Sequence, residues 1–316
     1  MISPFITIVT PVYNAEPYLT HTLESLRRQS FGNWECMLVD DGSSDTSMEI
    51  AEAYGEEDRR FQSFVRADYN DIKGANSCRN IGLELANANW VMFVDADDLL
   101  KEDCIARRVS TIESNPGFDF YVFKTAFVDN EMNFRGNFYN PNTIHADIIY
   151  RLVKHQIPWH TMSPVWQSRF LRKIGGWNSG YERLQDVELD IRALLWQPMV
   201  YFSKSGVDSF YRHNPMTHEK RQAARMGFCR IIHDYYGRLM SHESIPDNYK
   251  NKIHVVFQNM IENLLMNYMK NANERNLIWE NLYLKTLSAL ALEEEEIETV
   301  RRVFDKMSPM QKAKIQ

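Results

Sequence analysis

Three short stretches gather the side chains best suited to chemistry. Thr10-Pro11-Val12-Tyr13-Asn14, Asp40-Asp41-Gly42-Ser43-Ser44-Asp45 and Asp95-Ala96-Asp97-Asp98 each close an apolar run. If those runs are neighbouring strands, six carboxylates (Asp40, Asp41, Asp45, Asp95, Asp97 and Asp98) converge on one edge. Alone they would repel one another, so a divalent cation or the hydrogen-bond donors of a ligand must compensate them. Alternate residues of an extended segment point the same way, so Asp95 and Asp97 offer hard oxygens for Mg²⁺ or Mn²⁺. An ion that keeps open positions can then hold two phosphate oxygens. A lone Asp-x-Asp carries little weight, because chance supplies about one in a chain of this length. Its position between an apolar strand and a helix is what makes it informative.

The Asp40–Ser44 turn also suits simple helix capping. Capping does not require two adjacent carboxylates, however, and a strand-end carboxylate can accept from the N–H of a pyrimidine. Tyr13, beside Pro11, supplies an aromatic face. Together these features imply a nucleotide.

The elements that must position these residues are legible from periodicity. Phe5 to Thr10, Trp34 to Val39, Phe61 to Arg66 and Trp90 to Val94 read as strands. Between them, Leu19, Leu23 and Leu26 follow Pro17 at helical spacing, Ser44 or Asp45 precedes a helix bearing Ile50, Ala51 and Tyr54, and Cys78, Ile81, Leu85 and Ala88 line a third helix. Near-continuous apolar strands separated by helices indicate a parallel sheet covered on both faces. In such sheets ligands bind beyond the carboxyl ends of the strands. Further strands are expected at Phe120–Phe123, Met199–Phe202 and Val207–Tyr211, with a helix from Asp186 to Leu195. Beyond Asn214 apolar residues step by three and one, as in Ile253, Val256, Phe257, Met260, Ile261, Leu264 and Leu265. The division expected is a domain over residues 1–215, with about 1–110 for the nucleotide and 111–215 for the acceptor, then a helical region over 216–316.

Composition narrows the function classes. With 316 residues, 44% hydrophobic and 25% charged, the chain suits an ordinary globular protein of about two domains. Its net charge of -6 argues against nucleic acid as a general partner. Four cysteines without a CxxC pair suggest neither zinc nor a disulfide framework. No Lys or Arg precedes Arg27, and no stretch approaches the roughly 18 apolar residues of a spanning helix. A cytoplasmic protein is therefore expected, with peripheral contact at the inner face of the cell membrane left open. No GxGxxG follows a strand and no GxxxxGK[ST] occurs, which removes dinucleotide oxidoreductases and P-loop enzymes.

Taken in order, Thr7-Ile8-Val9-Thr10-Pro11-Val12-Tyr13-Asn14, Val39-Asp40-Asp41-Gly42-Ser43-Ser44-Asp45, Cys78-Arg79-Asn80-Ile81-Gly82 and Val94-Asp95-Ala96-Asp97-Asp98 resemble the family 2 glycosyltransferases. The resemblance is strongest over residues 5–100 and extends to about 215. It implies the GT-A fold, an α/β, Rossmann-like, mostly parallel sheet with helices on both faces. It implies Pro11, Tyr13 and Asp41 at the base with Asp40 nearby, Arg79 at the base or diphosphate, Asp95 and its neighbour Ala96 at the ribose, and Asp97 at the metal. His213 would reach the diphosphate or metal, as a late-loop histidine does in some relatives. Leu184-Gln185-Asp186-Val187-Glu188 resembles the segment that carries the catalytic base, usually written Glu-Asp. Gln185 departs from it, leaving Asp186 as the matching aspartate.

The chemistry asks for the same parts. Displacing a nucleoside diphosphate from a sugar needs stabilised leaving-group charge and one general base for the incoming hydroxyl. Asp186 can be that base, with Asp190 one turn further on and Glu188 pointing elsewhere. Trp159-His160 and Gly175-Gly176-Trp177 either flank an acceptor sugar or serve the core. The implied function is an inverting, metal-dependent glycosyltransferase of hexosyltransferase type. It would move a sugar from a nucleoside-diphosphate sugar, a UDP-sugar first, to a hydroxyl of a glycan or lipid-linked acceptor in surface polysaccharide synthesis. The C-terminal helices would contact a membrane or a second copy. Two alternatives stand beside it. One is a haloacid-dehalogenase-type phosphatase, read from Val91–Leu99; the other is a non-catalytic nucleotide-sugar-binding scaffold.

Overall fold

The computed structural model describes residues 3–129, 131, 133–137, 144–212 and 218–270. Its first 100 residues alternate strand and helix: β1 (Ile6–Val12), α1 (Glu16–Arg27), β2 (Trp34–Asp40), α2 (Ser47–Glu57), β3 (Phe61–Val65), α3 (Ala75–Leu85) and β4 (Trp90–Phe93). Strands β1 and β2 are buried at nearly every position, as expected when helices cover both faces of a sheet. Pro17 sits in the first turn of α1, where its missing N–H costs nothing, and Arg27 lies in the last turn, complementing the helix dipole.

The rest of the first unit comprises β5 (Leu99–Leu100), α4 (Cys104–Ser114), β6 (Phe120–Val122), β7 (Thr125–Val128), β8 (Phe134–Asn137), α5 (His145–Val153), β9 (Pro164–Gln167), α6 (Ser168–Lys173), α7 (Gln185–Leu195), β10 (Val200–Phe202) and β11 (Ser209–Arg212). Seven strands form the main sheet in the order β10-β6-β9-β4-β1-β2-β3, and four form a second in the order β5-β11-β7-β8. In the main sheet β9 runs antiparallel to β4 and β6; the other pairings are parallel.

The chain builds β1, β2 and β3 to one side and then crosses back to place β4 against the other edge of β1. Adjacent connections therefore leave β1 in opposite directions, opening the crevice in which open α/β sheets bind ligands. Register fixes what meets there: Val12 pairs with Asp40 and Val9 with Phe93, so the Asp40 and Asp95 segments emerge on either side of the Pro11–Tyr13 segment.

One core face packs Leu19, Leu23 and Leu26 of α1 with Ile105, Val109 and Ile112 of α4 against Ile6, Ile8, Met92 and Val94. On the other face α3 lies so close to β1 that a Cβ on Gly82 would stand 2.3 Å from a Val9 methyl. Only glycine permits that approach. Arg108 and Asp208 form a fully buried ion pair at 2.8 Å, and Arg108 also donates to the Met162 carbonyl at 2.7 Å. This ties α4 to the loop that enters β11.

The chain divides into compact units Met1–Pro215 and Met216–Gln316. In the second, α8 (His218–Ser241) and α9 (Asp247–Lys270) fold back on each other. Tyr236 Oη and His254 Nδ1 are 2.8 Å apart, and the Tyr236 and Phe257 rings meet edge to face. Among the described residues no helix is long and apolar enough to cross a membrane.

Candidate active site

The loops after β1 and β2 are stitched together. The Asn14 backbone N–H donates to Ser43 Oγ, and Asn14 Oδ1 accepts from the Ser44 N–H at 2.8 Å. Asp40 is buried and accepts from the N–H groups of Gly42 and Ser43 and from the Ser43 hydroxyl. Its carboxylate therefore shapes the turn from within. Asp41 accepts from Arg66 Nε at 2.6 Å and from the Gly74 N–H at 2.8 Å. Tyr13, on the loop after β1, is 61% exposed, so an aromatic side chain is open near a fixed carboxylate.

Beyond β4, Asp95 is half-buried and paired with Arg79 Nη2 at 2.6 Å. Burial raises the Asp95 pKa, but the Arg79 guanidinium, aided by His160, more than offsets this and holds it below the usual carboxylate range. Asp98 is fully buried. One of its oxygens accepts the Arg212 N–H, delivered by the pairing of β11 with β5. The other oxygen has no hydrogen-bond partner among the described residues and lies 4.0 Å from His160 Nδ1. Burial, together with the charges of Asp95 and Asp97, raises the Asp98 pKa far above the ordinary value. Burial also lowers that of His160. Tyr211 stacks on His160 at 4.2 Å, its phenol pushed up to about 12 by burial and the three aspartates.

Asp95, Asp98 and His160 offer ligand atoms that all lie within 4.8 Å of one another. Two carboxylates and an imidazole, with one buried carboxylate oxygen unsatisfied, fit a divalent cation such as Mn²⁺. Asp97 is half-buried next to this group without being part of it. His213 lies outside the described residues.

Opposite the strand ends, α7 begins after Leu184, whose left-handed backbone (φ 58°, ψ 32°) is unusual for a branched side chain. Gln185 accepts from Arg79 Nη1 at 2.9 Å and donates to the Glu182 carbonyl at 3.1 Å. Asp186 follows in the first turn, half-buried, its carboxylate near the helix N–H groups. Glu188 is fully buried in an ion pair with Arg192, which also donates to the carbonyls of Ile174 and Gly176. Asp190 is buried, and burial, reinforced by the Asp186 charge, raises its pKa far above the ordinary value. One turn therefore separates a partly exposed carboxylate from a buried one.

Both tryptophans serve the core. Trp159 is 1% exposed and packs near Phe120 and Phe202, while Trp177 lies edge-on to Phe93 at 5.0 Å, beneath the Arg79 guanidinium. Gly176 precedes it with φ 62°, and a Cβ there would come within 2.5 Å of Asn80 Oδ1, the atom that receives the Trp177 N–H.

The glycosyl transferase family 2 model matches residues 7–174, more than half of the chain. The chain belongs to glycosyl transferase family 2. An uncharacterized glycosyltransferase of Haemophilus influenzae is 38% identical over 112 residues, 35% of this chain and 44% of the relative. The putative teichuronic acid biosynthesis glycosyltransferase TuaG of Bacillus subtilis is 35% identical over 118 residues, 37% of this chain and 46% of the relative. The matches thus span less than half of these relatives. Among solved structures, S. aureus TarS 1-349 in complex with UDP-GlcNAc superposes with a TM-score of 0.65 at 17% identity, covering 90% of this chain and 80% of that one. The mannosyltransferase PcManGT from Pyrobaculum calidifontis, in complex with GDP-Man and Mn²⁺, gives 0.55 at 15% identity, covering 95% and 84%. These superpositions agree with the GT-A fold.

Within this family 2 chain, the strand ends bring Pro11, Tyr13, Asp40 and Asp41 to one loop cluster, and Asp95, Ala96 and Asp97 to the next. Arg79 is a buried strut with two anchored ends rather than an exposed helix arginine. The sequence gives no sign of Arg66 as partner of Asp41, or of His160 as neighbour of Asp98, because each pair is distant along the chain. The phosphatase reading is not favoured, since Val91–Leu99 lies inside the family 2 match.

Proposed function

We propose that the protein is an inverting, metal-dependent glycosyltransferase that moves a sugar from a nucleoside-diphosphate sugar to a hydroxyl of a glycan or lipid-linked acceptor, in the synthesis of a surface polysaccharide. The observation that carries this reading is the hydrogen-bonded link between two carboxylate sets. Asp41, Asp95, Asp97 and Asp98 close the strands at the crevice, and Asp186 opens α7, joined to them through Gln185, Arg79 and Asp95.

Each part then has a role. Tyr13 and Pro11 pack against the base, and Asp41, held rigid by Arg66, accepts its N–H; Asp40 keeps the loop in shape. Asp95 and the adjoining Ala96 border the ribose. A divalent ion would be held by Asp97 with Asp95, Asp98 and His160, and His213 remains a further candidate. When bound, that ion neutralises the diphosphate as it leaves. Asp186 takes the proton of the acceptor hydroxyl. UDP-sugars are the first donors to try, in keeping with the UDP-GlcNAc complex of TarS, and GDP-sugars the second.

We read residues 1–215 as the transferase part and 216–316 as a helical appendage that meets a membrane surface or a second copy, in a protein working in the cytoplasm. The test is release of nucleoside diphosphate from UDP- and GDP-sugars with Mn²⁺ and a panel of glycan and lipid-linked acceptors. Binding without any release would favour the scaffold alternative, and neither binding nor release would overturn the reading.

A further inference from the structure

Arg79 is confined on three sides. Its guanidinium lies 4.5 Å from the Trp177 ring centre, and that indole is fixed by reciprocal 2.8 Å hydrogen bonds between the Trp177 backbone and the Asn80 side chain. One guanidinium nitrogen holds Asp95 at 2.6 Å; the other reaches Gln185 at 2.9 Å and Asn76 at 3.2 Å. The side chain is only 5% exposed. The rigid planar fork is thus held at both ends.

Gln185 suits the second end because it is an amide. Its oxygen must face the guanidinium, which only donates, and its nitrogen must face the Glu182 carbonyl, which only accepts. The second bond spans Leu184, the residue in the left-handed conformation, and so pins the turn that launches α7. A glutamate, usual in the family at this position, could keep the first bond but not the second. It would also share with Asp95 a guanidinium that now neutralises Asp95 alone.

We propose that Gln185 is a positioning residue: it locks Arg79 between Asp95 and the first turn of α7, so that the donor-side carboxylate and Asp186 are held in one fixed relation. Its consequence for turnover rests on the transferase reading, whereas its consequence for the helix start does not. Gln185 touches neither reacting centre in this scheme and acts through Arg79 and the backbone of Asp186.

The test uses the full chain with Gln185→Met, which keeps length but removes both hydrogen bonds, and Gln185→Glu, which keeps the acceptor for Arg79. In Gln185→Met, kcat is expected to fall about 10- to 100-fold, the scale of a small misplacement of a reacting group. Affinity for UDP or GDP with Mn²⁺ should stay at the wild-type value, because the Arg79–Asp95 pair remains. Gln185→Glu, which keeps the acceptor for Arg79 but not the bond to the Glu182 carbonyl, should recover only part of the lost kcat. Amide hydrogen exchange at Glu188 and Leu189 should speed up in Gln185→Met while α4 is unchanged. A Met variant with wild-type kcat and wild-type exchange overturns the proposal, as does a parallel loss of kcat, affinity and melting temperature. If the wild-type chain transfers no sugar from any donor, the transferase reading fails, and the exchange comparison still decides the role of Gln185.

Discussion

Arg66 donates its Nε to Asp41 at 2.6 Å, and both side chains are largely buried, at 6% and 13% exposure. The pair leaves the second Asp41 oxygen to the Gly74 N–H, so the carboxylate is immobile before any ligand arrives. Preorganisation of this kind saves the cost of ordering a side chain on binding.

Arg66→Ala should therefore weaken binding of the nucleoside diphosphate and also destabilise the fold. It strands a mostly buried carboxylate, a defect worth about 3 kcal/mol. Calorimetry with UDP or GDP, alongside urea unfolding, separates the two effects. Unchanged affinity in the folded variant would remove Asp41 from the base site.

Asp97→Ala should weaken Mn²⁺-dependent binding of the diphosphate at least about tenfold, as loss of a metal-supporting residue does. Asp98→Asn is the companion variant, because Asp98 contributes the buried oxygen that has no partner among the described residues. If Asp97→Ala binds as wild type and chelator has no effect, while Asp98→Asn abolishes the Mn²⁺ response, the ion belongs to Asp95, Asp98 and His160 alone.

The fold was readable where one signal acts along a local stretch. Strands β1, β2 and β4 are apolar runs bounded by turn residues, and α1 and α3 show their buried stripes at helical spacing. Strand β9 was not readable. It has four residues, begins with Pro164 and is held in the sheet by β4 and β6 on either side, so its conformation is decided by tertiary pairing. The same division holds at the site. Aspartates at strand ends announce themselves by position, whereas His160 reaches Asp98 and Arg108 reaches Asp208 across 62 and 100 residues. Burial is also a product of packing, and only packing distinguishes Asp190 from Asp186.

Asp190 gives a pH signature. Its pKa is raised in the folded state, so the native protein holds a proton that the unfolded chain, with an ordinary carboxyl near 3.9, has lost. Stability must then fall as pH rises from the ordinary carboxylate range toward the raised value. Within that window each such group contributes a slope of about 1.4 kcal/mol per pH unit. Asp190→Asn should flatten the stability profile by up to that amount. Urea unfolding at pH 5, 6, 7 and 8 tests this, and an unchanged slope would mean that Asp190 is ionised in the native protein.

Asp186 is the carboxylate of α7 left open to an acceptor: Glu188 is bound to Arg192, and Asp190 is buried with its pKa raised by that burial. A base must be ionised at working pH and open to the acceptor, and among these three only Asp186 combines partial exposure with a place in the first helical turn. A single proton acceptor suffices for one displacement, in which the acceptor attacks the face of the sugar opposite the departing diphosphate. The product is then expected to have the anomeric configuration opposite to the donor. Asp186→Asn keeps size and the helix start but removes the proton acceptor. Transfer should fall about 10²-fold or more, the scale of general-base loss, with donor affinity unchanged. Kinetics of this variant and NMR of the product anomer decide separate points. Full activity in Asp186→Asn would dismiss Asp186 as the base, and retained configuration would dismiss the single displacement itself, because retention needs a second nucleophile or attack of the acceptor on the face from which the diphosphate departs.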